Sequence, residues 1–275
     1  MKKYPLIISD FDGTLFRSDY TIDERTIKTV RRFVEQGGVF VISSGRPLQS
    51  ILKIAKELGL IGLVCAFNGA VIADVETGQV LYQKSFSPTE TASLCKTLEE
   101  EGLYMQIYEL DRYYASERTA YLEKYESVVG ERAIVCDEPM PEFVLQKGIS
   151  SIKVLTMVEP KERNALMRRL EERQGDRSTV TSGAPYLIEV CVKGVTKGAA
   201  VEFLSKYYEI PIENMVAIGD SPNDLPMLRL VGKGIAVKNA DETLKKEIFT
   251  YRYSNDEDAV GKIIEEYGLT LEYKE

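Results

Sequence analysis

Histidine is absent from all 275 residues. That excludes Ser-His-Asp and Cys-His nucleophilic catalysis and any histidine-ligated metal. Chemistry must therefore fall to carboxylates, lysine, hydroxyls, tyrosine or cysteine. Cysteine is sparse: Cys65, Cys95, Cys136 and Cys191 are scattered, and no two sit at the spacing of a zinc knuckle or a CxxC redox pair. Buried free thiols are the expectation for them. No apolar run approaches the roughly 18–20 residues of a membrane helix. The start, MKKYPLII, reaches SDFD too soon for a signal peptide. A cytoplasmic protein without membrane association is expected. Basic tracts are missing as well. Net charge is −8, and neither residues 83–192 nor the remainder is net basic, so nucleic acid is not an expected partner. Nothing in the pattern speaks to oligomeric state.

What is present is an ordinary globular composition, 44% hydrophobic and 28% charged, in a chain long enough for one large domain or two modest ones. The N-terminal part alternates short apolar runs with helical periodicity. LIIS (6–9), VFVIS (39–43) and LVCAF (63–67) read as buried strands. Between them, residues 21–38 carry an apolar stripe of Ile27, Val30, Phe33 and Val34, with Thr21 and Glu24 as a capping box and Gly37 as the stop. Pro47 and Gly59 bracket the next helix. Strands separated by such helices imply right-handed crossovers and a parallel sheet.

The pattern then changes. AVIADVETGQVLYQ reads as a hairpin turning at Thr77-Gly78. Residues 83–192 mix paired strands with three helices, and residues 193–275 return to strand–helix alternation. The expected fold is α/β: a parallel-sheet core made of 1–82 and 193–275, split by an inserted α+β domain at 83–192.

Four polar clusters follow predicted strands or open predicted helices: Asp10 to Thr14, Ser43 to Arg46, Lys197, and Asp220 to Asp224. In an open parallel sheet, ligands bind at the carboxyl ends of the strands, so these clusters could share one crevice. Asp10 and Asp12 end a buried strand one residue apart, and a hard divalent cation would relieve their repulsion. Mg²⁺ typically takes one or two carboxylates plus substrate phosphate, and Asp220 could supply a further ligand. Ser44 and the N–H at Gly45, ahead of a helix, suit a phosphate. Lys197 opens a helix, an awkward place for a cation unless an anion is bound there. Asn223 and Asp224 either cap a helix or, with Asp220, belong to a site. Each cluster alone also has a plain capping reading; the set favours a site.

DFDGTL, SSGR, the lysine of TKG and GDSPND together resemble the four-motif signature of the haloacid dehalogenase superfamily. The large insertion between the second and third motifs resembles its Cof-like phosphatase branch. The resemblance implies a Rossmann-like core under an inserted cap domain. It implies Asp10 as nucleophile through an aspartyl-phosphate and Asp12 as general acid/base. Mg²⁺ is implied on Asp10, the carbonyl of Asp12 and Asp220, with Asp224 supporting the metal site. Ser44, Gly45, Lys197 and Asn223 match the phosphate-binding positions, and Arg46 and Asn68 (in FNGA) are implied substrate contacts. The implied activity is Mg²⁺-dependent hydrolysis of small phosphomonoesters, sugar phosphates first among them. A phosphomutase of the same superfamily and an idle phosphometabolite-binding sensor are the alternatives. Six tyrosines between 104 and 125 are expected mostly to pack, with one or two facing substrate. Glu189, in the last strand of that segment, could reach the cleft, with a solvated glutamate the favoured expectation.

Overall fold

The structure, a computed structural model, describes residues 4–269. Strand β1 (Leu6–Ser9) is followed by α1 (Glu24–Glu35), β2 (Val39–Ile42), α2 (Leu48–Leu58) and β3 (Leu63–Ala66), then the hairpin β4 (Val71–Asp74) and β5 (Val80–Gln83). Next come α3 (Pro88–Glu100), β6 (Gln106–Tyr108), β7 (Tyr113–Ala115), α4 (Ala120–Val129), β8 (Ile134–Val135) and α5 (Met140–Lys147). Then follow β9 (Lys153–Met157), α6 (Pro160–Gln174), β10 (Ser178–Thr181) and β11 (Leu187–Val192). The chain closes with α7 (Lys197–Tyr208), β12 (Met215–Gly219), α8 (Leu225–Leu230), β13 (Lys233–Ala236), α9 (Glu242–Lys245) and α10 (Ala259–Ile263).

The first sheet is parallel, in the order β13-β12-β1-β2. Leu6, Ile7 and Ile8 are fully buried, as a strand covered by helices on both faces requires. Each such side chain contributes roughly 1.5–3 kcal/mol of transfer free energy. β3 runs parallel beside β2 through the single bridge Ser43–Cys65, then leads the antiparallel ribbon β3-β4-β5. The hairpin at Thr77-Gly78 forms as expected. A six-stranded sheet, β10-β11-β9-β6-β7-β8, is antiparallel except for β7-β8. It has its own apolar cluster, which includes Leu98, Ile107, Val144 and Leu170.

Two details depart from expectation. Asp23, not Thr21, caps α1: its side chain accepts the Arg25 N–H, while the Thr21 hydroxyl is spent on Asp19. β8 and α5 carry no expectation at all. α5 is a two-turn helix with Pro139 at its cap and Pro141 in its first turn, too short for periodicity to register. All four cysteines are buried and free. Among the described residues, no helix is long and apolar enough to cross a membrane.

Candidate active site

β1 and β12 are parallel neighbours, so the residues just past their ends meet. Asp10 follows β1, and its N–H still donates to the Ile218 carbonyl at 2.9 Å, which fixes its backbone in the ladder. Asp220 follows β12. Asp224 stands in the 3₁₀ turn 222–224, and oxygens of Asp10, Asp220 and Asp224 lie within 4.8 Å of one another. Gly219 permits this, because a Cβ there would come within 2.5 Å of the Asp224 carboxyl carbon. Gly13, at φ +76°, has the same role opposite Asp220, whose Oδ2 would lie 2.6 Å from an added Cβ.

Lys197 is the first residue of α7, and its fully buried ammonium enters the cluster. It donates to Asp10 Oδ1 and, at 2.6 Å, to Asp224 Oδ1. Thr14 Oγ1 donates to Asp220 Oδ1 at 2.8 Å. Three carboxylates thus crowd around one buried ammonium. Burial, then the charge of Asp224, holds the Asp10 carboxyl well above its usual range, against the pull of Lys197. Burial and Asp224 likewise push Asp220 up to about 6. Burial alone would lower the Lys197 pKa, but Asp10 and Asp224 outweigh it and raise it.

This surplus of buried hard oxygen donors fits a divalent cation. Asp224 does not offer a free ligand atom. Its Oδ2 accepts the N–H groups of Asp220 and Ser221, both at 2.9 Å, and its Oδ1 is on Lys197. These bonds suit Asp224 to the supporting place that the motif resemblance implies for it. The side chain of Asp12 is also outside the cluster. Arg46 grips it in a two-pronged ion pair, Nε at 2.8 Å and Nη2 at 2.6 Å, so only its main chain remains for a metal.

Arg46 itself is buried against Phe11 and Phe16, and its Nη1 donates to the Val128 carbonyl at the end of α4. Ser44 Oγ accepts the Arg46 N–H at 3.1 Å, which leaves the hydroxyl proton to donate elsewhere. Asn68 was expected at the substrate. It is 1% exposed, behind the cavity wall, and it bridges Asn223 Nδ2 (3.0 Å) to Glu189 Oε2 (3.0 Å). Glu189 is not solvated: it is buried and pairs with Lys153 at 2.6 Å. Sequence reading missed Lys153, because nothing local distinguishes it from any strand lysine.

Above these groups lies a cavity of about 360 Å³ between the two sheets' loops. Asp10, Asp12, Ser44, Gly45, Arg46 and Asn223 form its base. Tyr121 and Tyr125 of α4, with Tyr186 and Leu187, form much of its wall. Tyr108 and Tyr113 pack in the core with rings stacked at 4.9 Å, so the division between packing and cavity-facing tyrosines matches expectation. The four sequence clusters converge.

Residues 7–264 match the family profile described as haloacid dehalogenase-like hydrolase. A Haemophilus influenzae protein, provisionally named a phosphatase, is 31% identical, with 96% of this chain and 98% of that protein covered. Phosphatase YwpJ of Bacillus subtilis is 27% identical, over 94% of this chain and 98% of its own length. A haloacid dehalogenase-like hydrolase from Bacteroides thetaiotaomicron superposes with a TM-score of 0.82 at 27% identity, covering 96% and 99% of the two chains.

Proposed function

Because the chain belongs to the haloacid dehalogenase-like hydrolases, we propose that it is a Mg²⁺-dependent phosphatase of small phosphorylated metabolites, with sugar phosphates the first class to test. The observation that carries this is the unbalanced cluster of Asp10, Asp220 and Asp224 around Lys197, from which Asp10 reaches the base of the cavity. Residues 83–192 are taken as a cap over a core formed by the rest.

Asp10 attacks phosphorus, the bond to the leaving oxygen breaks, and Asp12 delivers a proton to that oxygen. Water then attacks the aspartyl-phosphate while Asp12 takes its proton, which frees phosphate and restores the Asp10 carboxylate. Lys197 holds one Asp10 oxygen in place and adds positive charge beside the transferring group. The Ser44 hydroxyl, the main chain at Gly45 and Asn223 grip phosphate oxygens. Arg46 fixes where the Asp12 carboxylate stands. Mg²⁺, held by Asp10, Asp220 and the carbonyl of Asp12, would offset the negative charge of substrate and carboxylates.

The test is phosphate release from a panel of sugar phosphates, nucleotides and cofactor phosphates, with and without Mg²⁺. Metal-dependent release is expected. Isomerised product without release would indicate a mutase, and ligand-induced stabilisation without turnover would indicate a sensor.

A further inference from the structure

A second buried charge cluster joins the six-stranded sheet to the parallel core. Lys153 on β9 and Glu189 on β11 are 1% and 3% exposed, and among the described residues every side-chain hydrogen bond they make beyond each other goes to the core. Lys153 Nζ donates to the Gly45 carbonyl at 2.8 Å and to Glu189 Oε1 at 2.6 Å. Its ammonium lies 4.8 Å from the Tyr108 ring centre and 5.7 Å from that of Phe67. The other Glu189 oxygen accepts from Asn68, whose own oxygen accepts from Asn223.

Two further features mark this chain of bonds as built for a purpose. Phe67 (φ 50°) and Asn68 (φ 58°) are consecutive left-handed residues without being glycine, and both are buried. Such backbone is costly and persists only where its surroundings hold it; here the Arg46 and Ser44 carbonyls accept the two N–H groups. Beside them, Asn223 is 7% exposed and lines the cavity, and its Oδ1 has no partner among the described residues. An acceptor left so calls for a hydroxyl or water from the cavity, while the Nδ2 hydrogen that Asn68 does not take is the one able to donate to a phosphate oxygen.

Resting on the phosphatase reading above, we propose that Lys153 and Glu189 are positioning residues that hold the Gly45 main chain and, through Asn68, the Asn223 amide, so that the phosphate grip is complete only with the cap sheet seated on the core. Both side chains border the cavity, but their polar atoms are committed to the core, which assigns them to positioning and not to contact with the leaving group. A buried ion pair requires both partners and satisfied hydrogen bonds. Here Gly45 and Asn68 supply the hydrogen bonds, so lifting the cap would strip the pair of both.

The test uses the full chain with Mg²⁺ and p-nitrophenyl phosphate. Removing one charge could unfold the cap junction, so the key variant is the paired replacement Lys153→Met with Glu189→Leu, similar in volume and free of charge. Its kcat is expected to fall about 10- to 100-fold, the range that a small misplacement of gripping groups produces, with the melting temperature within a few degrees of wild type. Adding Asn68→Ala should cost little more, because the residues act as one unit. Wild-type kcat and KM in the paired variant, with Asp10→Asn inactive, would overturn the proposal and leave the phosphatase reading intact. A change in KM alone would also overturn it, by pointing to leaving-group contact. Should the wild type release no phosphate, the phosphatase reading itself fails. Hydrogen exchange then decides the positioning claim: amides 44–46 and 67–69 are expected to exchange faster in the paired variant, and unchanged exchange would overturn it.

Discussion

The molecule buries charge in two places a short distance apart, and the two are composed differently. At the ends of β1 and β12, three aspartates surround one lysine; between the sheets, one lysine meets one glutamate. In the first cluster burial and mutual repulsion raise the Asp10 and Asp220 carboxyls, so the protein alone leaves the charge uncompensated. In the second, Glu189 outweighs burial and raises the Lys153 pKa, and every charged atom has a partner. Surplus charge calls for something from outside the chain. Balanced charge fixes one part of the chain against another.

Breaking that comparison begins with Lys197→Met. Without the ammonium that bonds Asp10 and Asp224, the acidic cluster should cost roughly 3–5 kcal/mol of stability, the penalty for orphaning buried charge, read as the change in unfolding midpoint in urea. The balanced pair predicts the opposite: Lys153→Met with Glu189→Leu should alter stability by no more than about 1 kcal/mol, since neutral replacement of a buried pair is often tolerated. A large loss there, or none at Lys197, would erase the distinction.

Protons and metal should compete for the first cluster. Asp220 titrates near 6 in the fold, above its ordinary 3.8, so in metal-free protein its protonated form adds stability that is full below about pH 4 and lost as pH rises through 6. Mg²⁺ should therefore raise the melting temperature more at pH 7.5 than at pH 5, by a few degrees under saturating metal. Equal shifts at both values would contradict it. The smallest effect is expected at Tyr121, 45% exposed at the cavity wall, where Tyr121→Ala should change kcat/KM only a few-fold and leave stability within about 0.5 kcal/mol.

The two clusters also differ in how far the sequence reveals them. Asp10, Asp12, Ser44, Lys197 and Asp220 stand beside local signals, a buried strand's end or a helix's first residue, so topology alone brings them together. The Lys153–Glu189 pair spans 36 residues between strands that are not sequence neighbours, and only the register of β9 against β11 and the seating of that sheet create it. For the same reason Glu189 reads as a solvated strand glutamate until the core is placed beneath it. Asp12 shows the limit differently: its position is plain, but its capture by Arg46 depends on a side-chain geometry that no spacing encodes. Helix boundaries failed where two polar residues competed, as Thr21 and Asp23 did at the start of α1.

The central claim is that the unbalanced cluster performs phosphoryl transfer, with Asp10 as the attacking group. The most direct measurement is phosphate release by wild type and Asp10→Asn across the substrate panel, each with Mg²⁺ and with chelator, on protein shown to be folded. The expected result is turnover by wild type only with Mg²⁺ and a loss of at least about 10⁴-fold in Asp10→Asn, as for removal of a covalent nucleophile. Turnover that survives Asp10→Asn, or that ignores Mg²⁺, would contradict it.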